Sequence, residues 1–236
     1  MGGHVPPARA NAICDALMKR AVPLARMDQG QLQPLATAGL VRDGDRVGLV
    51  TAAHIFDRAH WGDLAVPLPR HGCVARLQSA RVRLFMHPDK DVAIMWIGDR
   101  LLAQRLCANW ESSSTLGTAG AGLKSTFVLI GYPACNARRV DGCVFIKPIV
   151  LFTESIDAQR YLYARTAERT DGVTIWTPEL DGVSGAMVWR VSDEDDDDVG
   201  CVLRPAAIQV AFTHNAHLRA ESITCVRELL RTSRPQ

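Results

Sequence analysis

Apolar residues along most of this chain come in short runs of four to eight, broken by Gly, Pro, Asp and Asn, and only near the two ends does their spacing become helical. From Ala10 to about Ala21, Ile13, Ala16 and Leu17 fall at helical spacing and predict a short amphipathic helix packed across the outside of the main body. At the other end, Ile223, Val226, Leu229 and Leu230 share one helical face within Ser222–Arg231, followed by a frayed tail. Between these ends, Ala21–Arg26 and Leu35–Val41 read as strands flanking a polar, Gln-rich turn. Asp43-Gly44 supplies a tight hairpin turn leading into Arg46–Thr51. Further strands are expected at 64–68, 73–77, 80–85 and 92–97, a crossover from about Leu101 to Ser114, and then strands at 127–131, 143–147, 149–153, 161–164, 187–191, 199–203 and 206–215. The pattern predicts an all-β body.

Composition refines this picture without changing it. With 236 residues, 47% hydrophobic and 22% charged, the chain can bury one large β domain or two small ones. The net charge of +2 hides an imbalance. Residues 193–198 hold six of the 25 acids, leaving 19 acids against 27 Lys and Arg elsewhere. Scattered arginines of this kind are ordinary solvated surface, so nucleic-acid binding is not expected. The acidic run reads as a solvated hairpin loop; it lacks the alternating ligands and glycine of a calcium loop, and no metal or other cofactor is expected. Seven cysteines without a CxxC pair read as reduced core thiols. With no secretory pattern at the start and no apolar run of membrane-spanning length, they point to a soluble cytoplasmic protein that does not engage a membrane.

Three local settings carry candidate chemistry. Leu180-Asp181-Gly182-Val183-Ser184-Gly185-Ala186 sets a serine between glycines ahead of an apolar run, a way of holding a nucleophilic hydroxyl out from the backbone. Val50-Thr51-Ala52-Ala53-His54 ends a buried strand in small residues and a histidine, the only one of seven histidines in such a setting. His87-Pro88-Asp89-Lys90-Asp91 is a polar loop whose last residue, unlike His87 or Asp89, directly precedes the apolar run Val92–Ile97. Gly117–Ser125 superficially suggests a phosphate-binding loop, but Leu123 separates Gly122 from Lys124 and the following run is strand-like.

In chain order His54, Asp91 and Ser184 resemble the triad of the trypsin-like, chymotrypsin-fold serine proteases, in the form of a bacterial-type intracellular member. Phe127–Pro133 resembles the Gly-Tyr-Pro strand end of its bacterial members. The resemblance covers about residues 21–230. It implies two six-stranded antiparallel Greek-key β-barrels, at about 21–105 and 115–219, with an N-terminal helical extension in 1–20 and a C-terminal helix at 220–231. It implies a serine endopeptidase in which His54 is the general base, Asp91 orients it, Ser184 attacks the peptide carbonyl, and the backbone N–H groups of Gly182 and Ser184 hold the oxyanion. Glu179 and Asp181, facing Phe212, Thr213 and His214, would wall the substrate pocket. A buried Glu179 would favour Arg or Lys before the cut bond. The expected partners are a protein or peptide substrate and a regulatory protein. The competing expectation is a protease fold that has lost turnover and kept a peptide groove. Val183 departs from the family's digestive members, whose aspartate at that place pairs with a freed N-terminus, so activation by that ion pair is not expected here.

Overall fold

A computed structural model of the chain describes residues 6–28, 31–113, 126–140, 143–163, 167–170, 173–176, 180–191, 203–213 and 217–234. Helix α1 (Pro7–Met18) starts three residues earlier than the apolar spacing suggests. Proline is well suited to a first helical turn, where its missing N–H has no intrahelical acceptor. The helix ends before Ala21 because that residue already belongs to a strand; of the expected face Ile13 and Leu17 are buried, and Ala16 is only partly covered.

The first half of the chain forms β1 (Ala21–Asp28), β2 (Gln31–Asp43), β3 (Arg46–Thr51), β4 (Leu64–Leu68), β5 (Cys73–Arg76), β6 (Val82–Met86) and β7 (Ala93–Ile97). These make one antiparallel sheet in the order β5-β4-β1-β2-β3-β7-β6, seven strands where six were expected. In the Gln-rich stretch the residues from Gln31 onward are strand rather than turn: Asp28 pairs with Gln31 and Met27 with Leu32. Alternation explains it, since Gln31 and Gln33 point to solvent while Leu32 is partly covered.

The expected crossover contains a helix, α2 (Arg100–Asn109), whose signal is a capping aspartate followed by leucines one turn apart. The Asp99 carboxylate accepts the Leu102 N–H at 2.7 Å, and Leu102 and Leu106 are buried. The second half forms β8 (Thr126–Gly131), a ribbon of β9 (Ala137–Val140) with β10 (Cys143–Ile146), β11 (Ile149–Glu154), β12 (Arg160–Leu162), a ribbon of β13 (Ala167–Thr170) with β14 (Val173–Trp176), β15 (Met187–Val191), β16 (Leu203–Thr213) and β17 (His217–Ser222). Its main sheet is antiparallel in the order β11-β8-β15-β16-β17-β12. The acidic run at 193–198 lies outside the described residues.

Helix α3 (Ile223–Thr232) closes the chain, capped by the Ser222 hydroxyl, which accepts the Thr224 N–H at 3.3 Å. Its buried face of Ile223, Cys225, Val226 and Leu229 packs on β7 of the first sheet and on β16 and β17 of the second. The larger core takes side chains from both sheets and all three helices, and a smaller one lies on the other face of the second sheet. Strand β8 serves both, sending Val128 and Ile130 into the first and Phe127 and Leu129 into the second. An apolar run without alternation is what a strand covered on both faces requires.

The cysteines are corrected by the structure. Of five described as free thiols, only Cys225 is buried; Cys73, Cys107 and Cys135 are exposed and Cys14 is intermediate. Cys107 follows Leu106 on the solvent side of α2, where nothing excludes a small polarizable side chain from water. No helix among the described residues is long and apolar enough to cross a membrane.

Candidate active site

Strand β3 is buried along almost its whole length and runs through fully buried Ala52 into a short 3-10 turn, Ala53–Asp57, that carries His54. The loop between β6 and β7 is closed on itself by the His87 N–H to the Val92 carbonyl at 2.9 Å and the Val92 N–H to the Lys90 carbonyl at 2.8 Å. This brings Asp91 to His54. One carboxylate oxygen accepts the His54 backbone N–H at 2.8 Å and the other lies 2.7 Å from His54 Nδ1. An ionised carboxylate only accepts, so Nδ1 carries the proton between them, the tautomer that in a neutral ring leaves Nε2 as the acceptor. Burial pushes the Asp91 carboxyl up, but hydrogen bonds from the His54 ring and backbone, the ring's charge and the Ala53 N–H together hold it below the usual carboxylate value. The histidine of the same loop faces elsewhere. His87 Nε2 is 2.9 Å from the Glu228 carboxylate on α3, and its Nδ1 accepts the Asp89 N–H at 3.2 Å.

Ser184 sits in a tight turn. The Val183 N–H bonds the Leu180 carbonyl and the Ala186 N–H bonds the Val183 carbonyl, both at 2.9 Å, while the Gly185 N–H bonds the Gln209 carbonyl at 2.7 Å. Gly182 and Gly185 both have left-handed backbone, φ 92° and 90°. Space demands glycine as well: a Cβ on Gly182 would lie 2.7 Å from the Tyr132 carbonyl oxygen, and one on Gly185 would overlap the Thr51 hydroxyl and the Thr37 carbonyl.

Thr37, on β2 and fully buried, ties this turn to the first sheet. Its hydroxyl donates to the Gly182 carbonyl at 2.9 Å and accepts the Tyr132 N–H at 3.0 Å. Its own N–H donates to the Ser184 carbonyl at 2.9 Å, and its carbonyl accepts the Thr51 hydroxyl at 2.8 Å. The Gly-Tyr-Pro strand end completes the frame. Gly131 leaves room for Val183, whose Cγ1 would lie 2.7 Å from a Cβ there, and the Ala134 N–H bonds the Asp181 carbonyl at 2.6 Å. The Val183 side chain is fully buried in the smaller core, so an apolar anchor holds the loop where an ion pair would need a charged partner.

These bonds orient two free donors. In a trans peptide the C=O and N–H point in opposite directions. With the Asp181 carbonyl turned to Ala134, the Gly182 N–H points away from that segment, and with the Val183 carbonyl turned into the turn, the Ser184 N–H points out of it. Neither N–H has an acceptor among the described residues.

His54, Asp91, Gly182 and Ser184 line one cleft of about 410 Å³ between the two sheets, with Asp181 and Phe212 from the expected pocket. The Ser184 hydroxyl makes no hydrogen bond to the His54 ring, a contact of the kind that commonly tightens when substrate binds. Thr213 is exposed at the end of β16 and does not line the cleft; Glu179 and His214 lie outside the described residues. Arg58 and Arg219 line the cleft without having been singled out by sequence reasoning. Thr37 was missed too, and no sequence signal points to it, because the partners of its hydroxyl lie as far as 145 residues away. The sequence matches no protein-family model and no curated protein.

Proposed function

We propose that the chain is a serine endopeptidase of the trypsin-like kind, with its two sheets curled as Greek-key barrels and its site in the cleft between them. The observation that carries the reading is the His54–Asp91 pair at 2.7 Å opening on the same cleft as a serine held between two left-handed glycines. In the proposed mechanism, His54 Nε2 removes the Ser184 hydroxyl proton as the oxygen attacks the peptide carbonyl. Asp91 stabilises the resulting imidazolium through Nδ1. The N–H groups of Gly182 and Ser184 receive the developing oxyanion, each such donor being worth about 10²- to 10³-fold in rate. The imidazolium then protonates the leaving amine, and water, activated by the same histidine, releases the acyl group.

The two donors are pre-set by Thr37, Ala134 and the buried Val183 side chain, so the turn needs no freed N-terminus to hold its shape. For the residue before the cut bond we propose a basic preference, set by Glu179. A peptide-library profile dominated by apolar or acidic residues there would refute that preference. A fluorophosphonate probe tests the class: the wild type should be labelled, and Ser184→Ala and His54→Ala should not. A wild type that stays unlabelled, or a Ser184→Ala variant that labels equally well, would overturn the reading.

A further inference from the structure

A cavity of about 490 Å³ that the proposed chemistry leaves unused lies at the first sheet beside the end of α3. Its lining includes Arg46, Arg81, Arg83 and Ser233 as polar residues and Phe85 and Trp96 as its aromatic side. That side is rigid for two reasons. The Trp96 indole N–H donates to the Ser233 hydroxyl at 2.8 Å, and the ring lies flat on Gly48, where a Cβ would come within 2.9 Å of it. The Arg46 guanidinium stacks on that ring at 3.7 Å and donates through Nη2 to the Ser233 carbonyl at 2.9 Å.

The charge there is unbalanced. Asp43 is the acid of this corner, and Arg234 already holds it with two bonds, at 3.0 and 3.2 Å. Arg46 Nη1 reaches Asp43 only at 3.7 Å; it is buried and makes no hydrogen bond. The Arg81 and Arg83 side chains are exposed and have no hydrogen-bond or ion-pair partner among the described residues. Four arginines thus face one aspartate around a preformed cleft with an aromatic side. Guanidinium groups bind phosphate oxygens as planar forks, and three of them suit a phosphoryl group, with its three terminal oxygens and two charges, better than a single carboxylate.

We infer that this cleft binds an organic phosphate, the phosphoryl group held among Arg46, Arg81 and Arg83 and the apolar body laid against Phe85, beside the Arg46-covered Trp96. The ligand could be a free phosphate monoester or a phosphorylated aromatic side chain, which share this chemistry. The site is separate from the cleft of His54 and Ser184, so it stands or falls independently of the proteolytic reading.

Phenyl phosphate, phenol, benzoate and inorganic phosphate, each titrated into the full chain by calorimetry and tryptophan fluorescence, test the chemistry. A short peptide carrying phosphotyrosine, in a parallel titration, distinguishes the two sources by its relative affinity. Phenyl phosphate should bind saturably and tighter than the other three small probes. Arg81→Gln with Arg83→Gln should weaken it at least about tenfold while leaving thermal unfolding unchanged, because both side chains are exposed. Phenol, benzoate or inorganic phosphate binding as tightly as phenyl phosphate would overturn the inference, as would affinity unchanged in the double variant.

Discussion

Replacing Thr37 by valine exchanges one buried hydroxyl for a methyl group of similar size, and the structure sets what that costs. The hydroxyl accepts the Tyr132 N–H at 3.0 Å and donates to the Gly182 carbonyl at 2.9 Å, and all three residues are buried. Valine leaves one backbone donor and one backbone acceptor without partners in a water-free place. At about 1–3 kcal/mol for each buried polar group left unsatisfied, the loss should be about 2–6 kcal/mol. For a chain of this length that lowers the melting temperature by roughly 4–24 °C. Thr37→Ser keeps both bonds and deletes only a methyl, at about 1 kcal/mol. The same pair of variants reads out the site. The Gly182–Val183 peptide loses the bond that fixes its carbonyl, the turn carrying both donors is held less firmly, and reaction of Ser184 with a fluorophosphonate should slow by up to about 10²-fold in the valine variant and little in the serine one. Thermal unfolding and labelling rates, measured together on both variants, decide the matter. A valine variant as stable as wild type, or one no slower than its serine counterpart, would refute the view that this hydroxyl sets the turn.

Further outcomes follow from the same geometry. Asp91→Asn should leave the fold intact and lower the turnover number by about 10⁴-fold in a peptide-hydrolysis assay, because a neutral amide cannot hold His54 in the tautomer with its proton on Nδ1. Since the folded state holds the Asp91 carboxyl below its ordinary 3.8, its contribution to stability is present above that value and lost as pH falls through the lowered folded value. Acid unfolding curves of wild type and Asp91→Asn should therefore differ most above pH 3.8 and converge only as pH falls through the lowered folded value. Val183→Asp should destabilise by about 3–5 kcal/mol in denaturant unfolding, since the carboxylate would be buried in an apolar cluster without a partner. Gly185→Ala should abolish both folding and labelling, whereas Gly44→Ala, at φ 60° with open space around it, should cost only about 1–2 kcal/mol by thermal unfolding.

The frame around the serine accounts for Val183. A turn bearing two unpartnered N–H groups must be held from behind, and here the holding is done by a hydroxyl on β2, a strand end at Gly131–Ala134 and an apolar side chain in the core. All three are formed within the fold itself. This supports reading the site as constitutively shaped, with any control exerted on access to the cleft rather than on the geometry of the turn.

Much of this was legible in the sequence because it is encoded locally. The two terminal helices show in the spacing of Ile13 with Leu17 and of Ile223, Val226 and Leu229, and most strands show as short apolar runs between turn residues. The settings of His54, Asp91 and Ser184 are each readable within a few residues, since small side chains before a histidine or glycines around a serine act on their immediate neighbours. Helix α2 was legible in principle, from Asp99 with Leu102 and Leu106, but its short, polar-rich run reads equally well as a crossover. What only the tertiary structure decided is which groups meet. A hydroxyl on β2 reaching Gly182 across 145 residues, three arginines gathered around Trp96, and cysteines left on the surface are products of sheet order and packing. Periodicity records which face of an element is covered. It does not record by what, because hydrophobic burial is non-directional, and partners far apart in the chain are selected only when the sheets close on a common core.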